Sequence, residues 1–153
     1  MVLDPYEELA SFVSGEVSDD EIIKKIEELD IRSDKAAVIL AQTLFDSSIL
    51  SSIQKHVKLL AHVLKTEKDQ KAFLGGLERL IGMTHRDLLP KAPLIFKAFY
   101  DADLVDEEVI LAWGEKSSKK YVDRKISKEI LEKAEPFLKW LREAEEESSE
   151  DEE

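Results

Sequence analysis

The stretch Ser33-Asp34-Lys35-Ala36-Ala37-Val38-Ile39-Leu40-Ala41-Gln42-Thr43-Leu44-Phe45 decides the fold class. Its apolar residues, Ala36 to Ala41 with Leu44 and Phe45, cover a helical wheel almost all the way round. A helix with so little polar face sits in the middle of an assembly of other helices. Elsewhere in the chain apolar residues also recur at three- and four-residue steps, while alternating β-branched runs and Asn-Gly turns are missing. The chain is therefore read as all-α.

Working outward, residues 5–13 form a first helix with Pro5 in its first turn, Leu9, Phe12 and Val13 inward, and Gly15 just past its end. Ser18-Asp19-Asp20-Glu21 has the pattern of a capping box, and Ile22, Ile23, Ile26 and Leu29 face the core behind it. Ser33 is expected to cap the central helix. Downstream, Asp46-Ser47-Ser48 opens a helix over 49–65. A further helix spans 67–81 and carries Gly75-Gly76. Each glycine costs ~1 kcal/mol of helix stability relative to alanine, and the pair offers room for a neighbouring helix to pack closely. Gly82 fits a C-cap, and Leu88-Leu89-Pro90 is a connector. Residues 91–102 form a helix with Pro93 in its first turn. Asp106 begins another that reaches Trp113 and stops at Gly114, and 116–120 is a basic loop. The last helix starts near residue 123, and Pro136 is expected to kink or restart it. Beyond 147 the like charges of Ser148-Ser149-Glu150-Asp151-Glu152-Glu153 predict disorder.

The sum is one domain over 1–147, about eight antiparallel helices joined by short loops, with a disordered acidic tail over 148–153. Successive helix pairs of ~35–45 residues suit a HEAT-like stack. No residue-level repeat supports it, so an irregular helical bundle stays open as the alternative.

Length and charge bound the function. At 153 residues the chain can bury a real core, and its net charge is −12. Residues 143–153 hold eight acids and no base, which leaves about −4 for the body. Nucleic acid and anionic membranes need a basic face, so neither is the expected main partner; a basic protein is. With no cysteine there are no disulfides, zinc ribbons or thiol nucleophiles. The N-terminus lacks a signal-peptide pattern, and no apolar run approaches the ~20 residues of a membrane span. A soluble protein of the cytoplasm or nucleus is expected.

Catalytic and metal motifs are missing. His56, His62 and His85 have no metal-ligand spacing and are read as solvated. There is no H-E-x-x-H, no phosphate-binding G-x-x-x-x-G-K-[ST] and no G-x-S-x-G. The chain is expected not to be an enzyme and to need no cofactor. Its paired carboxylates lie in exposed-looking runs, where nothing shifts a pKa toward acid–base work. Lys55, His56, Lys58, Lys65, Lys68 and Lys71, with Lys116, Lys119, Lys120, Arg124, Lys125 and Lys128, form either a second contact face or the polar sides of amphipathic helices. Ser148 and Ser149 each have an acid three residues on, Asp151 and Glu152, as targets of acidophilic casein-kinase-two-type kinases do. Each phosphate would add about −1.5 to −2 charges.

Two stretches interleave aromatics with carboxylates: Tyr100-Asp101-Ala102-Asp103-Leu104 through Trp113-Gly114-Glu115-Lys116, and Ala134-Glu135-Pro136-Phe137-Leu138-Lys139-Trp140-Leu141 through Glu145-Glu146-Glu147-Ser148-Ser149. They resemble the first and second aromatic/acidic boxes of the two-tryptophan C-terminal domain of eukaryotic translation initiation factor five. The resemblance implies a HEAT-like assembly hub, cytoplasmic and monomeric. It implies as partners the lysine-rich tail of the β subunit of initiation factor two, initiation factor one and the c subunit of initiation factor three. Carried over by position, the contact residues are Asp101, Asp103, Asp106, Glu107, Glu108, Glu115, Glu135, Glu143, Glu145, Glu146 and Glu147. Trp113 and Trp140 are expected to shape the boxes from within. The zinc-ribbon, GTPase-activating region of the whole factor has no counterpart here, so the chain is expected to be a fragment without that activity. Two sister families carry the same domain: the ε subunit of the factor-two exchange factor, where it catalyses nucleotide exchange, and mimic proteins that compete with factor five.

Overall fold

A computed structural model of the chain describes residues 3–151, with side chains as far as Glu146. Among these residues there are nine α-helices and no strand: α1 (Pro5–Val13), α2 (Asp19–Glu28), α3 (Ser33–Thr43), α4 (Ile49–Ser52), α5 (Val57–Val63), α6 (Glu67–Arg79), α7 (Ala92–Asp101), α8 (Glu107–Trp113) and α9 (Arg124–Asp151). A 3-10 turn, Gln54–His56, separates α4 from α5. A π turn, Leu80–Thr84, and a 3-10 turn, Arg86–Lys91, join α6 to α7.

Short-range side-chain chemistry sets three of the helix starts, those of α1, α2 and α6. Asp4 accepts from the Glu7 N–H at 2.9 Å, and Pro5 sits at N1, where its missing N–H costs nothing. Ser18 accepts from the Glu21 N–H at 3.2 Å, which is one half of the expected capping box. A complete box forms instead at α6, between Thr66 and Asp69. Asp69 also claims Ser33. The serine hydroxyl donates to Asp69 Oδ1 at 2.6 Å and does not cap its own helix. Burial is the reason. Asp69 is cut off from water, which would raise its pKa, and the hydrogen bonds from Ser33, Thr66 and Lys65 more than reverse that, holding it below the usual carboxylate range.

The central helix is where the sequence puts it. Ala36, Ala37, Leu40 and Ala41 of α3 have no exposed surface. Its main partner is α6, which lays Gly76 against it. A Cβ at Gly76 would come within 2.6 Å of Ala41 Cβ and 2.7 Å of the Val38 carbonyl oxygen. Ser33 meets Asp69 at one end of this pair and Ala41 meets Gly76 further along, so α3 and α6 run in the same direction. Side-by-side parallel helices are what stacked helix pairs produce, and this is the HEAT-like arrangement. Phe45, Phe73 and Phe99 bridge the layers in edge-to-face contacts of 5.7 and 5.0 Å.

Four local expectations change. The helix expected over 49–65 is split into α4 and α5, which is why there are nine helices where about eight were expected. At the split His56 is buried, with Nδ1 2.8 Å from Asp19 Oδ1 on α2 and its ring edge-on to Phe45. A tertiary partner outweighs a regular helical ladder there, and His56 is not the solvated histidine expected. Gly82 is no C-cap; it is buried in the π turn, where a Cβ would meet Ile126 of α9 at 2.4 Å. Pro136 does not restart α9, which runs through it unbroken with Ala134 before it and Phe137, Leu138 and Leu141 after it buried against the core. The backbone of α9 is described as far as Asp151. Of the expected tail, Glu152 and Glu153 lie outside the described residues.

Candidate functional site

The first box ends α7 and makes all of α8. Asp101 is exposed and pairs with Lys97, one turn back, at 2.7 Å. Asp103 takes a left-handed backbone (φ 60°), which aspartate tolerates better than most residues. It closes α7, with its own N–H donating to the Tyr100 carbonyl and that of Leu104 to Phe99. Leu104 and Val105 are buried. Asp106 follows at the α8 N-cap, where Gln70 holds it twice: Gln70 Oε1 accepts the Asp106 N–H at 2.8 Å and Nε2 donates to Oδ2 at 3.3 Å. Glu107 is half-buried, and Glu108 and Glu115 are exposed. Val109 and Ile110 anchor α8 in the core.

Trp113 closes this box half-buried. Its ring lies 4.5 Å from that of Phe96, and its Nε1–H donates to Glu78 Oε1 at 3.2 Å. Glu78, on α6, has 3% of its surface exposed. Removal from water pushes its carboxyl up to about 7, against the opposing pull of Trp113, Ser127 and the Arg79 charge. Sequence reasoning missed Glu78. The signal was its place on the arc Leu74, Leu77, Glu78, Ile81, which is the inward stripe of the helix.

The second box lies on α9 and packs on α7. Trp140 is 46% exposed, which overturns the expectation that both tryptophans sit within. The buried stripe of α9 runs through Phe137, Leu138 and Leu141 and leaves position 140 at its edge. Tyr100 packs edge-on to it at 6.3 Å, Phe137 lies parallel at 6.1 Å, and Lys97 Nζ sits 5.3 Å from its ring centre. Tyr100 of the first box therefore touches Phe137 and Trp140 of the second, and the structure brings the two boxes together. Glu135 pairs with Arg142, while Glu143, Glu145 and Glu146 are exposed without an ion pair among the described residues. The side chains of Glu147, Ser148 and Ser149 lie outside the described residues.

The basic residues do not share one face. His56 is taken by Asp19 and Lys68 approaches Asp34 at 3.9 Å. Arg124, Lys125 and Lys128 line a shallow groove interleaved with Glu115, Glu132 and Glu135. Among the described residues no three His, Asp or Glu side chains gather as a metal site requires, and no helix is long and apolar enough to cross a membrane.

Residues 69–151 match the W2 family model described as eIF4-gamma/eIF5/eIF2-epsilon. The chain is 43% identical to eukaryotic translation initiation factor 5 of Saccharomyces cerevisiae over 89% of its length, and 47% identical to that of Mus musculus over 84%. It spans about a third of these relatives, 33% and 30% of their length. A solved structure of the C-terminal domain of translation initiation factor 5 at low pH superposes with a TM-score of 0.92 at 40% identity, covering 100% of this chain and 99% of that one. Helix order, the two boxes and these likenesses agree, and the chain belongs to the W2 family, in the branch of initiation factor 5 C-terminal domains.

Proposed function

We propose that this chain is a non-catalytic assembly module of translation initiation, acting in the cytoplasm. Its two acidic boxes take the lysine-rich tail of the β subunit of initiation factor two, and it also engages initiation factor one and the c subunit of initiation factor three. The observation that carries this reading is the open face of Trp140 beside Tyr100, continued along α9 by the acids Glu143, Glu145 and Glu146. A lysine stem can lie on the ring while its ammonium reaches the acids. Several unpaired carboxylates also draw a polycation in from a distance and lose that pull as salt rises. Phosphates on Ser148 and Ser149 would extend the same acidic surface.

The test is calorimetric titration of a lysine-rich peptide carrying the sequence of the β-subunit tail, at low and at high salt. Binding in the micromolar range or tighter, weakened by salt and lost when Glu145, Glu146 and Glu147 are reversed to lysine with helicity unchanged, is the expected result. Unchanged affinity in that variant sinks the reading. The W2 description also includes eIF2-epsilon, so nucleotide exchange is the second reading, and a mimic that competes with factor five is a variant of the first. Faster GDP release from initiation factor two on adding this chain would favour exchange; binding with no release, or slower release, favours the module.

A further inference from the structure

Tyr121 is seated directly on α6. A Cβ at Gly75 would lie 2.3 to 2.5 Å from its ring, so the contact needs glycine there. Arg79 grips the same residue: its Nε donates to the Tyr121 carbonyl at 3.0 Å, and its guanidinium sits 5.3 Å from the ring centre. On the other side of the loop the Ser118 N–H donates to the buried Ser127 hydroxyl at 3.0 Å. The segment between α8 and α9 is thus pinned at Ser118 and at Tyr121. With α6 it borders a half-open cavity of about 320 Å³. Trp113 and Tyr121 wall this cavity and Leu74 contributes apolar lining. Lys71, Lys116 and Lys120 give it positive charge against the single carboxyl of Glu78, which is held by Trp113, and none of the three lysines makes an ion pair among the described residues.

Three ammonium groups without a carboxylate partner, of which Lys120 lies 5.4 Å from the Tyr121 ring centre, stand out around one aromatic hollow on a chain of net charge −12. We propose that this cavity is a second binding site. It takes an acidic segment of a protein partner, which inserts one aromatic side chain between Trp113 and Tyr121 and sets its flanking carboxylates against the three lysines. The volume lies at the lower end of small-ligand sites, about 300–1,000 Å³. It suits a single side chain better than a base, ribose and phosphates together. The flat walls favour an aromatic over an aliphatic anchor. A pinned loop loses little freedom on binding, so little of the contact energy goes into ordering it. The occupant has the opposite charge to the one proposed for the acidic boxes, and this inference does not rest on that reading.

Nuclear magnetic resonance on the isotope-labelled chain tests it. The chain has two indole N–H signals, and a Trp140→Phe variant identifies the one from Trp113. The probe is a short capped peptide of Glu and Asp around one Phe. It is expected to shift the Trp113 signal saturably. Replacing its Phe by Ser, or using a Lys116→Gln/Lys120→Gln chain with an unchanged circular dichroism spectrum, should weaken binding roughly tenfold. A Trp113 signal that stays still while exposed lysine neighbours drift without saturation overturns the proposal. So does an equal response to the Ser peptide or to inorganic phosphate, since either makes the cavity a site for bare anions only. The probe carries the wrong charge for the acidic boxes, so its failure leaves the module reading untouched.

Discussion

Trp113 and Trp140 each lie beside an acidic stretch, and in sequence the two boxes look like copies. In the folded chain they do different work. Trp113 sits on Phe96, gives its N–H to a buried glutamate and ties α8 to α6. Trp140 lies at the rim of α9 with nearly half its surface open, held by Tyr100 and Lys97. The carboxylates divide in the same way. Asp103 closes α7 and Asp106 opens α8, whereas Glu143, Glu145 and Glu146 have no such duty. The first box is therefore largely occupied in building the fold, whereas the second leaves an aromatic and acidic face open to solvent.

The largest expected effect comes from truncating the tryptophans. Trp113→Ala removes a packed ring and leaves Glu78 without its donor, so it should cost about 3–4 kcal/mol in urea unfolding. Trp140→Ala should cost under ~1 kcal/mol and act on partner affinity instead. Equal losses of stability would break the contrast between the boxes.

Next in size is the pH dependence that Glu78 imposes on the first box. Its carboxyl ionises at about 4.5 in the unfolded chain and about 7 in the folded one. Between those values the folded state keeps a proton that the unfolded state has lost. Stability should therefore fall as pH rises through this window, by on the order of 3 kcal/mol in total, and level off above it. Glu78→Gln keeps an acceptor for Trp113 and should flatten that limb, giving a protein more stable than the parent at pH ~8. Asp69 contributes in the opposite sense: its lowered pKa gives stability that is lost only as pH falls into the acid range. Denaturant titrations across pH would separate the two. The Trp113 indole signal should titrate with Glu78, and the Trp140 signal should not.

The smallest effect sharpens the comparison at the acids. Asp106→Lys breaks the Gln70 clamp and should cost about 1–2 kcal/mol, while Glu145→Lys should stay within ~0.5 kcal/mol. Thermal melts at one pH decide it.

Much of this was legible along the chain. The all-helical class, the central burial of α3, the close packing allowed by Gly76 and the extents of α1, α7 and α8 follow from apolar spacing and from turn and cap residues, which act over three or four positions. The errors fall where a distant side chain overrides a local rule. Ser33 turned from its own helix to Asp69, His56 broke a helix to reach Asp19, and Pro136 stayed within a helix that is buried against the core on both sides of it. Glu78 lies on the inward stripe of its own helix, but the partners that hold it there, Trp113 and Ser127, come from segments far away in the chain.

The sequence by itself determined that this chain is helical, acidic and marked by two aromatic/acidic boxes, because composition and periodicity are properties of residues close together. Only the tertiary structure decided which tryptophan is inside. It also decided which carboxylates hold helix ends, and that Lys71 joins Lys116 and Lys120 around one cavity. Those outcomes rest on desolvation and contact between segments far apart in the chain, which short-range spacing does not encode.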